Sequence, residues 1–144
     1  MTEIAELVER EFSALELGMA VEEEVVWNET DVEEFRRTTG DDAPVHRDAE
    51  FAGQIGMPGP IVFGLLVVTP FSRLLGCRLP GTLSIIQSLR FDFVLPVLAA
   101  EPLRYRVEVT QLSPATRSVT LALTVSRPDG SVVVRGRAQC GLAR

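Results

Sequence analysis

Residues 38 to 48, TTGDDAPVHRD, hold the only histidine of the chain, His46, five places after Asp41. A carboxylate and an imidazole on one short irregular segment, stiffened by Pro44, can point the same way, which makes them a candidate acid/base pair. Such a pair can hold a water between its two polar ends, with both pKa values tuned by burial and by each other. The same residue types have ordinary uses. An Asp in a turn commonly caps backbone amides, and a lone His is often a surface or satisfied core residue. Asp42 and Asp48 read as solvated turn and cap residues.

The loop needs elements on either side to aim it. Ile4, Leu7, Val8 and Phe12 recur at helical spacing and predict an amphipathic helix or helical lead-in at the N-terminus. The run MAVEEEVVW, Met19 to Trp27, predicts a first strand, and Thr30 with Glu33 three residues on predicts a capped helix ending near Thr39-Gly40. After the loop, Asp48-Ala49-Glu50 opens a short helix expected to carry Phe51, Ala52 and Ile55 inward. GMPGP at 56 to 60 breaks it. Ile61 to Leu75 is almost wholly apolar and too long for a typical buried strand, so it predicts a buried central helix, with Pro70 as its weak point. Four segments then alternate with period two: Leu83 to Leu95, Leu103 to Val109, Val119 to Val125 and Val132 to Cys140. In the third, Val119, Leu121, Leu123 and Val125 share one face. The expected architecture is α+β, a single domain over residues 1–144 in which an antiparallel sheet curves around one long helix.

Composition narrows the function. A length of 144 residues suits one domain, and 46% apolar with 24% charged residues is a globular profile. The net charge of -6 argues against nucleic-acid partners, which need a basic surface. All 14 basic residues are Arg, which removes lysine Schiff-base chemistry and leaves guanidinium forks or backbone amides to meet any phosphate. The first twenty residues do not read as a signal peptide, and IVFGLLVV at 61 to 68 is too short to span a bilayer, so no membrane partner and a cytoplasmic location are expected. Two cysteines, Cys77 and Cys140, fit reduced, buried thiols. No metal cluster or nucleotide-binding glycine motif is present, so no redox cofactor is expected.

The loop resembles the Gly-Asp-x-Asn-Pro-x-His-x-Asp signature of the MaoC-like, (R)-specific enoyl-CoA hydratases, which have the hot-dog fold. Downstream, GPIVFGLL is similar to that family's Ile-x-His-Gly-Met/Leu segment at the start of the central helix, and SLRFDFVLPV to the strand that follows it. The resemblance runs over roughly residues 19 to 140 in the expected order. It implies a hydro-lyase that reversibly hydrates an enoyl thioester, carried on coenzyme A or an acyl carrier protein, and a homodimer. It also implies that Asp41 and His46 are the catalytic dyad and that the Gly64 backbone N–H holds the thioester oxygen. An amide near a helix N-terminus suits the negative charge that builds on that oxygen, although a glycine there also permits tight helix packing. The chain departs from the pattern where Ala43 replaces the Asn, Phe63 replaces the His before the glycine, and Pro96-Val97 continues as LAAEP. Arg73, Arg78, Arg90, Arg104 and Arg106 are candidates for substrate phosphates, although scattered strand arginines are usually solvated. Two alternatives share the fold: an acyl thioesterase, and a non-catalytic protein that binds acyl thioesters.

Overall fold

The computed structural model describes residues 6–144. Five strands form one antiparallel sheet in the order β1-β3-β4-β5-β2: β1 (Ala20–Val26), β2 (Ser84–Phe93), β3 (Pro102–Ser113), β4 (Ser118–Ser126) and β5 (Val132–Leu142). The alternation read from the sequence sets the faces. Val119, Leu121, Leu123 and Val125 of β4 are buried with Leu103, Tyr105, Val107 and Val109 of β3, while Thr120, Ala122 and Thr124 face outward. Bulges interrupt the ladders between Ile86 and Ser88 and between Val109 and Gln111, adding the local bend that lets the sheet wrap around a helix.

That helix is the apolar run, with shifted bounds and an interruption. Residues 61–63 are extended: Ile61 bridges Leu98, and the Val62 N–H donates to the Val97 carbonyl at 2.7 Å. Helix begins at Gly64 and proceeds as α3 (Gly64–Val68), α4 (Pro70–Arg73) and a π turn (Leu74–Arg78). Pro70 breaks it because it has no N–H to donate. Two side chains compensate: the Thr69 hydroxyl donates to the Leu66 carbonyl at 2.7 Å, and the Tyr105 hydroxyl donates to the Val67 carbonyl at 2.6 Å. Trp27 Nε1, just past the end of β1, donates to that Tyr105 oxygen at 3.0 Å and so orients the β3 side chain that holds the helix at its break.

Three local expectations are corrected. The helix after β1, α1 (Glu29–Thr39), is capped by Asn28 and Asp31 in reciprocal bonds of 2.9 and 3.0 Å, not by Thr30 and Glu33. Both pairs have the capping spacing, and the extended backbone of Asn28 starts the helix two residues earlier. The N-terminal segment is not helical over residues 6–11, and Ile4 lies outside the described residues. Val8 instead exchanges backbone bonds with Cys77 (2.7 Å) and Thr82 (2.9 Å), contacts that outweigh the weak stability of one isolated turn. Helix α2 (Ala49–Gln54) buries Ala52, but Phe51 and Ile55 are 36% and 49% exposed, because a helix of under two turns turns only one position to the core.

The two sheet edges differ. Strand β1 carries Glu22, Glu23 and Glu24, with Glu23 facing inward onto Arg73 of α4 at 2.7 Å. Strand β2 pairs with β5 on one side, and among the described residues no strand pairs its other side, where Ile85, Leu89 and Phe93 are exposed.

Candidate active site

The loop between α1 and α2 is built from local bonds. Gly40 ends α1 in the left-handed region, φ 72, and donates to the Arg36 carbonyl at 2.8 Å, a conformation that favours glycine. The chain then turns on Asp41, whose Oδ1 accepts the Ala43 N–H at 3.1 Å. Pro44 starts a single 3₁₀ turn through His46. Asp48 caps α2 through bonds from the Glu50 and Phe51 amides, as expected.

His46 is tied across to the strand-like residues before the central helix. The Ile61 N–H donates to the Val45 carbonyl at 3.1 Å, and the Ile61 carbonyl lies 2.8 Å from His46 Nδ1. A carbonyl only accepts, so Nδ1 carries the proton and neutral His46 keeps its lone pair on Nε2. The ring packs on Phe63, centroids 4.0 Å apart, and Phe63 packs in turn on Phe35 of α1 at 4.9 Å. Phe63 is only 2% exposed. The face of the imidazole is therefore fixed by an apolar wall at the position where the family pattern has His.

Asp41 and His46 border the same cavity of about 400 Å³, with Ala43, Ile61, Phe63 and Leu98 among its walls. Gly64 is not one of its walls. It borders an adjoining apolar cavity of about 260 Å³ with Val67 and Phe93, and Ile61 and Val62 are shared by both. Gly64 also serves packing: a Cβ there would stand 2.9 Å from the Phe93 ring. The five arginines singled out from the sequence lie elsewhere. Arg73 pairs with Glu23, Arg106 with Glu22 and Glu108, and Arg90 lies 3.6 Å from Asp92. Arg78 reaches the Glu22 carbonyl, and Arg104 is exposed on the outer sheet face. The guanidiniums that do border the cavity are Arg36 and Arg47, which spacing alone did not mark. Among the described residues no group of three or more His, Cys, Asp or Glu side chains is placed to hold a metal ion.

A curved antiparallel sheet wrapped around a central helix defines a hot-dog fold, here with a carboxylate and an imidazole on the loop beside the helix start. The sequence comparisons agree: the family described as MaoC like domain matches residues 12–128, and the chain belongs to that family. An (R)-specific enoyl-CoA hydratase of Aeromonas caviae is 33% identical over 125 residues, covering 87% of this chain and 93% of the relative. A 3-hydroxybutyryl-CoA dehydratase of Methylorubrum extorquens is 34% identical over 127 residues, covering 88% and 80%. Among solved structures, the (R)-hydratase from A. caviae involved in PHA biosynthesis superposes with a TM-score of 0.84 at 32% identity, covering 90% of this chain and 98% of the other.

Proposed function

We propose that this protein is a hydro-lyase that reversibly adds water to an enoyl thioester, or removes it from a 3-hydroxyacyl thioester, with Asp41 and His46 as the proton-transfer groups. The observation that carries the assignment is the bond from His46 Nδ1 to the Ile61 carbonyl. It leaves Nε2 as the basic nitrogen of a ring that borders the cavity shared with Asp41. Asp41 has its Oδ1 engaged by the Ala43 amide, and its second oxygen supplies acceptor capacity for a water.

In hydration, water loses a proton to one member of the pair, its oxygen bonds to C3, and the electron pair of the C2–C3 double bond moves toward the thioester as an enolate. A proton is then delivered to C2. In dehydration each proton step runs backwards, so the groups exchange acid and base roles with direction. Because the two groups act on one proton inventory, their titration belongs to the pair. No electrons leave the substrate, so the reaction calls for no redox partner. Gly64 N–H is the proposed donor to the thioester oxygen, supported by its place at the start of the helical run, where backbone amides lack intrahelical acceptors.

The relatives named above supply the substrate class, an acyl group on coenzyme A, and a tomato relative, 27% identical, is named a 3-hydroxyacyl-[acyl-carrier-protein] dehydratase. The free thiols of Cys77 and Cys140 fit a reducing, cytoplasmic setting. The unpaired apolar edge of β2 supports a homodimer in which two copies pair their sheets.

The test is loss of enoyl-thioester absorbance with a short trans-2-enoyl-CoA. Asp41→Asn and His46→Ala should each lower kcat by about 100-fold or more, the range of a lost acid/base group. Full activity in either folded variant would overturn the dyad. Release of free thiol instead would identify a thioesterase.

A further inference from the structure

Between the two members of the dyad lies a clasp of charges. Asp42, next to Asp41, meets Arg36 of α1 at 3.1 Å through Oδ1 and Arg47, next to His46, at 3.1 Å through Oδ2. Arg36 is itself oriented from behind: Glu33 accepts from its Nε and Nη2 at 2.8 Å each, and from Arg37 Nε at 2.9 Å. These bonds hold the Glu33 carboxyl down at about 2. Five charged residues thus run from the surface of α1 across the loop to the residue after His46.

We propose that Asp42 is a positioning residue that sets the spacing of Asp41 and His46, doing ionically what the amide side chain missing at Ala43 would do by hydrogen bonding. This inference rests on the hydro-lyase reading of the same site. The need for such a brace follows from how unequally the dyad is held. His46 is fixed by the Ile61 carbonyl and the Phe63 ring. Asp41 is exposed, and its side chain is bonded only within its own turn, to the Ala43 amide. Asp42 joins the Asp41 side of the loop both to α1 and to the His46 side, closing Asp42 to Arg47 into a ring. Solvent-exposed ion pairs add little to folding stability, so the clasp should register in turnover before it registers in melting. A misplacement of about 1 Å between acting groups costs up to roughly 100-fold in rate, so even a partial loosening is measurable.

The experiment compares wild type, Asp42→Ala, Asp42→Asn and the double variant Asp42→Ala/Ala43→Asn on a short trans-2-enoyl-CoA. The His46 ring is followed in parallel by selective ¹⁵N-histidine labelling, unambiguous because the chain has one histidine. Asp42→Ala should lower kcat by about three- to tenfold, the scale of one to two exposed ion pairs, with KM changed less than about twofold. Asp42→Asn should fall between it and wild type, and Ala43→Asn should recover a substantial part of the loss. Raising salt from about 0.05 to 0.5 M should carry wild-type kcat toward the Asp42→Ala value while leaving that variant flat, since screening opens exposed pairs. A folded, active wild type whose Asp42→Ala variant keeps its kcat and its His46 resonances would overturn the clasp. An inactive wild type would count against the hydro-lyase reading instead, and the clasp would then stand or fall on whether the His46 resonances move in Asp42→Ala.

Discussion

At the scale of residues, the informative atom is His46 Nδ1. Its contact with a backbone carbonyl dictates the tautomer, so the neutral imidazole should carry its proton on Nδ1 and show Nε2 as the unprotonated nitrogen in the ¹⁵N spectrum. A neutral ring found protonated on Nε2 would remove the basis for aiming that nitrogen at substrate. Asp41 and His46 were legible in the sequence because they share one short loop whose turn residues, Gly40 and Pro44, are themselves local signals. The partners that complete the site were not. Ile61 and Phe63 reach His46 through tertiary packing, with Phe35 backing Phe63, and nothing in a string of letters ties the carbonyl of Ile61 to an imidazole fifteen residues earlier. The placement of Asp42 was missed for a different reason: an exposed acid in an arginine-bearing segment has several possible partners, and only the fold of the loop selects Arg36 and Arg47.

Elements were legible where one face is buried and ambiguous where it is not. The alternating segments became strands at nearly their predicted bounds, since a half-buried sheet demands period two. The start of α1 slipped by two residues because two overlapping capping patterns were present. The central helix came with the wrong start because the first three residues of an apolar run pair with the 97–98 backbone as readily as they coil. At this scale a tight constraint lies where β5 passes β2. Gly136 lies opposite Phe91, and a Cβ on it would stand 2.6 Å from the Phe91 ring and 2.7 Å from the Arg90 carbonyl. A ring can turn aside; the backbone of a paired strand cannot without opening the ladder. Gly136→Ala should therefore destabilise the fold by about 1–3 kcal/mol, the cost of overpacking, seen as a lower denaturant midpoint at unchanged slope. An unchanged midpoint would mean that the two strands have room to separate.

For the whole molecule, strand order could not be read from the sequence, because β1 and β2 are neighbours along the chain yet end at opposite edges of the sheet. That separation matters for assembly. Ile85 and Phe93 on β2 are 71% and 53% exposed, and Leu65 on α3 is exposed as well, an apolar margin beside unpaired backbone groups. Leu89, on the inward-facing register of β2 and exposed at this margin, is the residue to change. Leu89→Arg should convert the proposed homodimer to a monomer, read as a halved mass in light scattering after gel filtration. A wild type that is monomeric at micromolar concentration, or a variant whose mass does not change, would count against pairing through β2.

The acidic β1 edge acquires a second meaning from this. Joining two copies across a two-fold axis at β2 makes one continuous ten-stranded ribbon, twice the five of a single copy, and both of its ends are then β1. Each end presents Glu24 beside Glu22, which is paired with Arg106, and the inward-turned Glu23, which is committed to Arg73, so the β1 of a third copy arriving edge-on would meet like charge at Glu24 and carboxylates already engaged. In the proposed homodimer, growth by strand addition would therefore stop at β1: one edge of the sheet favours pairing and the other resists it.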